Sequence, residues 1–447
     1  MLKLDYRGVI MQNTMKLSLK NFGPLDTAEI DIGKITVIGG ENATGKSTTS
    51  KILYCFLRAN SSKRQEITYD YLVNLIKDET RDIQRYLRDH ANCNIDFKDY
   101  RKRLTQYETQ RKINQNKTGF EIISEIYDEI KDTIDNQNIS SESKDYIEEK
   151  FVDIDNFMDI VEKNDNSLYI YIMKKLIKDE FSTSEFNGVF EINGVYLNKE
   201  YDFKINFDDN DLTSDEVFKS EGWFSLNDIY YIDSFSILDL NQNLGLNDSE
   251  HAGFLTNNLK KEADESDELF DDKVNEKIIS LENEINSIIN GEFIYENGEL
   301  IYLPKDGVKC RMKNTASGVK QIGIIQLLLN NRKLKDNSFL VIDEPEVNLH
   351  PAWQVKFAGV LALLVKNLDI SLYINSHSPV FIEAIDAFSE LYDLEEHTRY
   401  YLSEKSTEKE GFNNIISVDS EELYKIYDNL GNPYDEIDQI RIKKQLE

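Results

Sequence analysis

An eight-residue stretch near the N-terminus has the residue types and spacing that bind phosphate. Residues 40 to 47 are Gly-Glu-Asn-Ala-Thr-Gly-Lys-Ser. Glycines at both ends let backbone N–H groups wrap around an anion, Lys46 adds a positive charge for β- and γ-phosphates, and Ser47 offers a hydroxyl to Mg²⁺. The pattern predicts a nucleotide-binding loop made of Gly40, Glu41, Asn42, Ala43, Thr44, Gly45, Lys46, Ser47 and Thr48.

The segments on either side of this loop fit that function. Residues 35 to 38, Ile-Thr-Val-Ile, form a short apolar run typical of a buried strand. Apolar residues at positions 52, 53, 56 and 57 recur at helical spacing. The loop is therefore predicted to join a strand to a helix, where the helix dipole favours an anion, and a simple glycine-rich turn is the less favoured alternative.

Two carboxylates follow a second apolar strand. Residues 339 to 342 are Phe-Leu-Val-Ile, and Asp343 and Glu344 come directly after them. At the carboxyl edge of a parallel sheet, Asp343 would hold Mg²⁺ and Glu344 would orient and polarise the attacking water. Alone, the pattern would favour a strand ending in an acidic turn. With the phosphate loop present, it favours the paired catalytic carboxylates.

Two further polar groups flank this strand in the chain. Ser317 and Gly318 precede an apolar helix over residues 322 to 329, a position that suits either an anion site or an ordinary helix cap. His377 follows the next predicted strand, residues 372 to 374, and a proline then opens another helix. If the two strands are neighbours, His377 lies within reach of a γ-phosphate.

Composition limits the classes of function. The 447 residues include 52 Lys plus Arg and 82 Asp plus Glu, a net charge of −30, so the surface repels polyanions and any DNA contact must be local. The apolar run at residues 357 to 365 is far too short to span a bilayer, and no apolar signal core is present. We expect a cytoplasmic protein without a membrane contact. Its three isolated cysteines indicate neither a disulfide framework nor a zinc site.

Changes in pattern along the chain predict an α/β protein with four regions. Residues 15–59 are the N-terminal part of an α/β domain, here called the head, and contain the phosphate loop. Residues 60–185 are a largely helical insertion in it. A β-rich lobe with a helical segment follows at 186–305, with hairpin turns predicted at Asn193-Gly194 and Asn297-Gly298 and a strand at 229–232. Residues 306–447 are the C-terminal part of the head.

The ordered set of motifs resembles the ABC-type ATPases of the SMC, RecF and OLD group. That resemblance implies an ABC-type P-loop ATPase head that binds ATP and Mg²⁺, with a Walker B aspartate at Asp343 and a catalytic glutamate at Glu344. It places a signature at Ser317 and Gly318 that acts on the ATP of a second subunit, a D-loop at 348–351 and an H-loop residue at His377. The signature, Ala-Ser-Gly-Val-Lys-Gln, departs from the transporter form, and Gln242 is a weak candidate for the Q-loop glutamine.

The spacing of the motifs narrows the resemblance. Gly45 and Ser317 are 272 positions apart (317 minus 45), an insertion that transporters do not have. Sustained heptads of the SMC type are missing from this gap, which leaves OLD-like ATPases such as those of the anti-phage systems Septu and PARIS. Seventy residues follow His377 (447 minus 377), too few for a Toprim nuclease domain. We therefore expect a homodimer or higher homo-oligomer that controls a separate effector protein, for example a nuclease.

Two other functions fit parts of the sequence. Residues 98 to 117 carry seven basic side chains with two interleaved tyrosines, which would suit a RecF-like repair ATPase that grips DNA phosphates. A solvated helix face or a protein-docking surface explains the same segment, and the net negative charge of the whole chain favours this interpretation. A module that binds nucleotide without hydrolysing it is disfavoured by the intact Lys46, Asp343, Glu344 and His377. Stimulation of ATPase activity by DNA would favour repair.

Overall fold

The computed structural model shows two compact units, one from residues 63–174 and one from the residues on either side. The structure describes residues 15–61, 64–91, 93–107, 117–163, 166–181, 187–196, 199–208, 211–220, 226, 228–233, 250–260, 272–296, 299–305, 307–311 and 314–430. Gln242, the Q-loop candidate, lies outside these residues.

The larger unit is built around a mixed sheet of eleven described strands. Their order across the sheet is β6-β5-β4-β1-β2-β14-β13-β3-β12-β11-β7. The strands are β1 (Lys16–Phe22), β2 (Leu25–Asp31), β3 (Ile35–Gly40), β4 (Gly188–Tyr196), β5 (Lys199–Asp208), β6 (Asp211–Ser220), β7 (Ile229–Ile232), β11 (Phe339–Asp343), β12 (Ser371–Ser376), β13 (Thr398–Lys405) and β14 (Asn413–Val418).

Five neighbouring strands form the parallel part of this sheet. Strands β13, β3, β12, β11 and β7 pair in parallel, and every residue of β3, β7, β11 and β12 is buried. Near-continuous apolar strands are expected where helices cover both faces of a parallel sheet. The helices after these strands in the chain are α1 (Lys46–Ala59), α10 (Pro351–Asn367) and α11 (Pro379–Leu391).

Local sequence explains where these last two helices begin. Helix α10 starts with Pro351 behind an N-capping His350, and α11 starts with Pro379 behind an N-capping Ser378. Proline suits the first turn because its missing N–H would have no partner there. Both helices therefore start immediately after a polar turn at the sheet edge. The capped start of each helix holds the preceding turn in place.

The antiparallel part of the sheet corrects one predicted turn. Asn193 and Gly194 lie inside β4, where Asn193 pairs with Lys16 of β1 and with Asp202 of β5, so no hairpin turn occurs at them. The strand continues to Tyr196, and β5 begins at Lys199. The hairpin exists, but its connection lies at residues 197–198, outside the described residues.

A smaller sheet and three helices complete this unit. The order of the sheet is β10-β9-β8, with β8 (Gly291–Glu296), β9 (Glu299–Pro304) and β10 (Cys310–Arg311). Strands β8 and β9 are antiparallel on either side of residues 297–298, which supports the second predicted hairpin, although the turn residues themselves are not described. The helices are α7 (Glu250–Lys260), α8 (Asp272–Ile289) and α9 (Ser317–Asn330).

The smaller unit is helical. Its helices are α2 (Arg64–His90), α3 (Lys98–Thr105), α4 (Gly119–Asp135) and α5 (Ser141–Lys163), together with the first part of α6 (Asn166–Phe181). Helix α4 begins with a capping box, in which the Thr118 side chain accepts from the Glu121 N–H and the Glu121 carboxylate accepts from the Thr118 N–H.

The predicted fold class is confirmed. The structure has a parallel α/β head with a phosphate loop, an antiparallel lobe and a helical insertion. The four regional boundaries stay predictions. Among the described residues, no helix is both long and apolar enough to cross a membrane.

Candidate nucleotide site

The loop after β3 leaves a row of backbone donors without partners. In the described part of the chain, the amide N–H groups of residues 43 to 47 donate to no acceptor. Left-handed backbone at Gly40 (φ 147°), Ala43 (φ 60°) and Gly45 (φ 92°) shapes this turn. A Cβ on Gly45 would lie 2.5 Å from Leu25 Cδ2, so glycine is also required by close packing. Unpaired N–H groups at the start of a helix form an anion site.

Lys46 is held beside these donors. Its Nζ donates to the carbonyl oxygens of Gly40 (2.8 Å) and Glu41 (2.5 Å), and the residue is 5% exposed. Burial lowers the pKa of Lys46, while the nearby carboxylates of Asp343 and Glu344 oppose that shift. A buried ammonium that is bonded only to carbonyls can still receive a strongly charged acceptor such as a phosphate.

Asp343 ends β11 with both carboxylate oxygens oriented by neighbouring strands. Its Oδ1 accepts from Asn375 Nδ2 on β12 (2.8 Å), and its Oδ2 accepts from the Tyr231 hydroxyl on β7 (3.0 Å). Asn375 Nδ2 also donates to Ser50 Oγ on α1 (3.0 Å). All four residues are at least 93% buried. The carboxylate therefore has a fixed orientation, as the ligands of a metal ion require.

Glu344 and His377 lie together at the same edge. Glu344 has left-handed backbone (φ 50°), its N–H donates to Asn375 O at 2.9 Å, and its Oε1 is 3.9 Å from His377 Nδ1. Their side chains are 40% and 37% exposed, so both can meet a ligand. A non-glycine residue with positive φ is a feature that recurs at functional sites.

Glu346 holds the histidine from behind. Its Oε1 accepts from the His377 backbone N–H (2.5 Å) and lies 3.0 Å from Nδ1. Burial raises the pKa of Glu346, and its side chain is only 3% exposed. These contacts fix the His377 backbone and bring a buried carboxylate to its ring.

The predicted signature begins helix α9 but lies on the D-loop of its own chain. Ser317 is the first helical residue and does not cap the helix: the N-cap is Ala316, and Ser317 Oγ donates to Asn348 O at 2.7 Å. A Cβ on Gly318 would lie 2.7 Å from the Trp353 ring, which explains the glycine. Among the described residues, no hydrogen bond joins Ser317 or Gly318 to the phosphate loop.

The residues of this edge fit ATP and Mg²⁺. The unpaired N–H row and Lys46 suit a triphosphate, and the exposed Ser47 hydroxyl and the Asp343 carboxylate are oxygen ligands of the kind that Mg²⁺ prefers. No group of three or more His, Cys, Asp or Glu ligands occurs within the described ranges. Mg²⁺ does not need one, because phosphate oxygens and water complete its coordination.

Sequence reasoning missed two residues of this site and one buried cluster beside it. Tyr231 and Asn375 contact Asp343, yet neither belongs to a recognised motif. Asp233 follows β7 and lies 3.1 Å from Nε2 of the buried His251, whose Nδ1 is 2.6 Å from Glu180 Oε2. These two carboxylates outweigh the effect of burial and raise the pKa of His251 to about 9.

The basic segment of the helical unit is partly neutralised. Arg103 forms an ion pair with Glu129 (2.5 Å) and Lys117 pairs with Glu125, while Arg101 donates to Gln84 (2.9 Å). Tyr107 is buried and its hydroxyl donates to Asp70 Oδ1, so its ring is not an open stacking platform. The hydroxyl of the partly exposed Tyr100 is hydrogen-bonded to Thr133 Oγ1. Residues 108–116 of this segment are not among the described ones.

Two comparisons with known proteins found proteins similar to this chain. The family model described as "AAA ATPase domain" matches residues 15–382. Similar solved structures include the SMC head domain from Thermotoga maritima, at 12% identity over 91% of this chain and 100% of that chain with a TM-score of 0.40. An SMC head bound to the C-winged helix domain of ScpA is 12% identical over 92% of this chain and 99% of that chain, with a TM-score of 0.45.

No curated protein matches this chain. The family match covers most of the sequence, including the phosphate loop and the Asp343 strand. The chain belongs to the AAA ATPase domain family.

Proposed function

We propose that this chain binds ATP with Mg²⁺ and hydrolyses it at the edge where β3, β11 and β12 end. The unpaired N–H row at residues 43 to 47 carries the proposal, because it lies beside a buried lysine and a pair of carboxylates. Lys46 binds the β- and γ-phosphates, and Ser47 and Asp343 would hold Mg²⁺, which neutralises phosphate charge when bound. The Tyr231 and Asn375 contacts keep Asp343 in place.

Glu344 and His377 supply the hydrolytic groups. Glu344 is half-exposed beside His377 and can accept a hydrogen bond from the attacking water. His377, held by Glu346, can donate to the γ-phosphate. Both side chains leave the sheet edge on the β11–β12 side of the phosphate loop, so the reacting end of ATP points in that direction.

A second copy of the chain completes the site in this proposal. Helix α9 begins with three N–H groups, those of Ser317, Gly318 and Val319, that donate to no acceptor in the described part of the chain. Such a helix end binds anions but lacks the lysine and carboxylates of the α1 site. We assign it to the ATP of the partner subunit, so that ATP promotes a homodimer or a higher oligomer.

The biological role that we propose is control of a separate effector protein in an anti-phage defence complex, with a nuclease as the effector. The OLD-like motif order supports it. The ion pairs of the basic segment give no support to a RecF-like DNA grip. Purification of the chain with its genomic neighbours and mass spectrometry of the bound protein tests this role. DNA-stimulated ATPase activity without a bound effector would contradict it.

Single-turnover hydrolysis tests the chemistry. Glu344→Gln should bind ATP with unchanged affinity and hydrolyse it about 100-fold more slowly, because the amide cannot accept the water's proton. Glu383→Gln, an exposed carboxylate on α11, is the matched control and should retain the wild-type rate. Wild-type hydrolysis by Glu344→Gln would show that another group is the base.

A further inference from the structure

Two groups of this chain act on different ATP molecules in the proposed function. His377 meets the γ-phosphate bound by its own chain, and Ser317 meets the ATP of the partner subunit. Within the described residues, no hydrogen bond joins Ser317 or Gly318 to the phosphate loop. If the start of α9 is to respond to the nucleotide of its own chain, another part of the structure has to connect them.

The turn between β11 and α10 contacts the start of α9. Three successive carbonyl oxygens in this turn, those of residues 347–349, each accept a hydrogen bond from a side chain. Ser317 Oγ and Gln321 Nε2, both on α9, donate to the second (2.7 Å) and the first (2.9 Å) of these oxygens. Nε2 of Gln354, on α10, donates to the third at 3.2 Å. The position of residues 347–349 therefore helps to fix the start of α9.

Gln354 also bonds to the turn that carries His377. Its Oε1 accepts from Ser378 Oγ (2.6 Å), and Ser378 follows His377 directly and caps α11 by accepting from the Phe381 N–H (3.3 Å). Gln354 is buried, so an amide group that lost either bond would be left unpaired away from water, at a cost in free energy. A shift of the His377 turn is therefore transmitted to residues 347–349.

The contact between the two turns does not involve the reacting groups themselves. Gln354 bonds to neither Glu344 nor the His377 ring in the described part of the chain. The Glu346 carboxylate joins the same two turns at a second point, where it accepts from the His377 N–H at 2.5 Å. With both contacts in place, the turn after β11 and the turn after β12 move together.

We propose that Gln354 is a positioning residue that makes the contact of the α9 start with a second subunit depend on the γ-phosphate bound in the same chain. The proposal rests on the proposed function, because it needs ATP at the phosphate loop and a partner subunit. A γ-phosphate on His377 holds the His377 turn in one position, and Gln354 holds residues 347–349 and the α9 start in the matching position. ADP has no γ-phosphate and leaves that turn without this restraint, so it favours assembly less than ATP does.

Sedimentation of the slowly hydrolysing Glu344→Gln protein with ATP and Mg²⁺ measures the midpoint concentration of assembly. Adding Gln354→Met, which removes both hydrogen bonds with little change in volume, should raise that midpoint about tenfold. The ATP affinity of dilute, unassembled protein should stay within about threefold of the parent, because the phosphate loop is untouched. Ser378→Gly breaks the same contact from the other side at little cost to the helix cap, and replaces Gln354→Met if that variant does not fold.

A double-mutant cycle with His377→Ala separates this dependence from simple support of the turn. Because His377→Ala already removes the γ-phosphate contact, adding Gln354→Met to it should change the midpoint less than about twofold. Gln321→Met is the matched control: its lost bond holds the same turn from α9, so it should raise the midpoint by the same factor with and without His377→Ala.

Two outcomes would overturn the inference and leave the proposed function intact. One is full additivity of Gln354→Met and His377→Ala, and the other is an unchanged midpoint of assembly in folded Gln354→Met protein. A Glu344→Gln parent that binds ATP but does not assemble would instead overturn the subunit contact of the proposed function, and this inference with it.

Discussion

The N-terminal ends of helices α1 and α9 both present unpaired backbone N–H groups, yet they differ in everything around those groups. At α1, the donors of residues 43 to 47 have Lys46 beside them and Asp343 and Glu344 nearby. At α9, three donors begin the helix, and two neighbouring side chains contact the backbone of residues 347 and 348: Ser317 Oγ donates to Asn348 O, and Gln321 Nε2 donates to Val347 O at 2.9 Å.

This difference separates a complete anion site from half of one. The α1 end has a buried lysine beside its donors and two carboxylates nearby, whereas the dipole and N–H groups of a helix end by themselves contribute at most about 2 kcal/mol to anion binding. Changes at α1 should therefore abolish nucleotide affinity. Changes at α9 should leave affinity intact and affect only the steps that need a second subunit.

The largest expected effect is at α1. Lys46→Ala should lower ATP affinity about 100-fold or more, since an ammonium that contacts two phosphate groups is lost from a buried site. Lys34→Ala, immediately before the other end of β3, is the control and should bind ATP normally. Calorimetric titration measures both. Equal ATP affinity in Lys46→Ala and Lys34→Ala would contradict the claim that Lys46 makes the α1 end the site that binds ATP.

The next effect is at α9. Ser317→Arg should keep ATP affinity within about threefold of wild type but lower steady-state hydrolysis about 100-fold, because its bulk and charge spoil the phosphate contact across the subunit interface. Asn330→Arg, at the exposed opposite end of the same helix, should have no effect on either quantity. If a folded Ser317→Arg protein hydrolyses ATP at the wild-type rate, Ser317 does not act on the ATP of a second subunit, and its hydrogen bond to Asn348 is its only role in this account.

A smaller effect is expected at a residue that contacts Asp343, the proposed ligand of Mg²⁺. Tyr231→Phe removes the hydroxyl that donates to Asp343 Oδ2 and should lower Mg²⁺ affinity about tenfold in the presence of ATP. Tyr230→Phe is the matched control, because its hydroxyl instead contacts Lys333 O at 3.4 Å. Mn²⁺ binding followed by electron paramagnetic resonance gives the affinity without a turnover assay. Equal Mn²⁺ affinities in the two variants would contradict the positioning role.

The last effect concerns the stability of the fold, not ligand binding, and arises at the end of β7. The pKa of His251 rises to about 9 in the folded chain, above its unfolded value of about 6.5, so its contribution is complete below pH 6.5 and is lost as pH rises through 9. Wild type should lose about 3 kcal/mol of unfolding free energy over that window relative to His251→Gln. Denaturant titrations at pH 6 and 9.5 measure this, with the exposed His397→Gln as control. A wild-type curve parallel to that of His251→Gln would contradict the charged cluster.

Local sequence was enough to predict that residues 40–45 join a strand to a helix, that Asp343 and Glu344 come at the end of a strand, and that these strands are buried. Each of these is a short contiguous pattern, in which the physical requirement, such as left-handed backbone at Gly45, appears in the residue type itself. The contacts of Asp343 could not be predicted in this way. Tyr231 and Asn375 reach it from β7 and β12, so the order of strands in the sheet decides the partnership.

The prediction of a hairpin turn at Asn193-Gly194 was wrong for a related reason. Asn-Gly favours a tight turn locally, but β4 is paired with β1 as far as Asn193, and its ladder with β5 continues through the dipeptide to Tyr196. Gly194 tolerates its left-handed backbone (φ 117°) within the strand. Similarly, the order of the motifs predicted a role for Ser317 towards a second chain, but its bond to Asn348 depends on how α9 packs.

Sedimentation of Glu344→Gln with ATP and Mg²⁺ tests most directly whether the α9 end of one subunit completes the ATP site of another. Slow hydrolysis by this variant preserves the ATP-bound state. We predict a dimer or higher oligomer with ATP, a smaller species with ADP, and the smaller species with ATP when Ser317→Arg is added to Glu344→Gln. Identical sedimentation of Glu344→Gln and of that double variant, both saturated with ATP, would contradict the claim that the α9 end completes the site of another subunit.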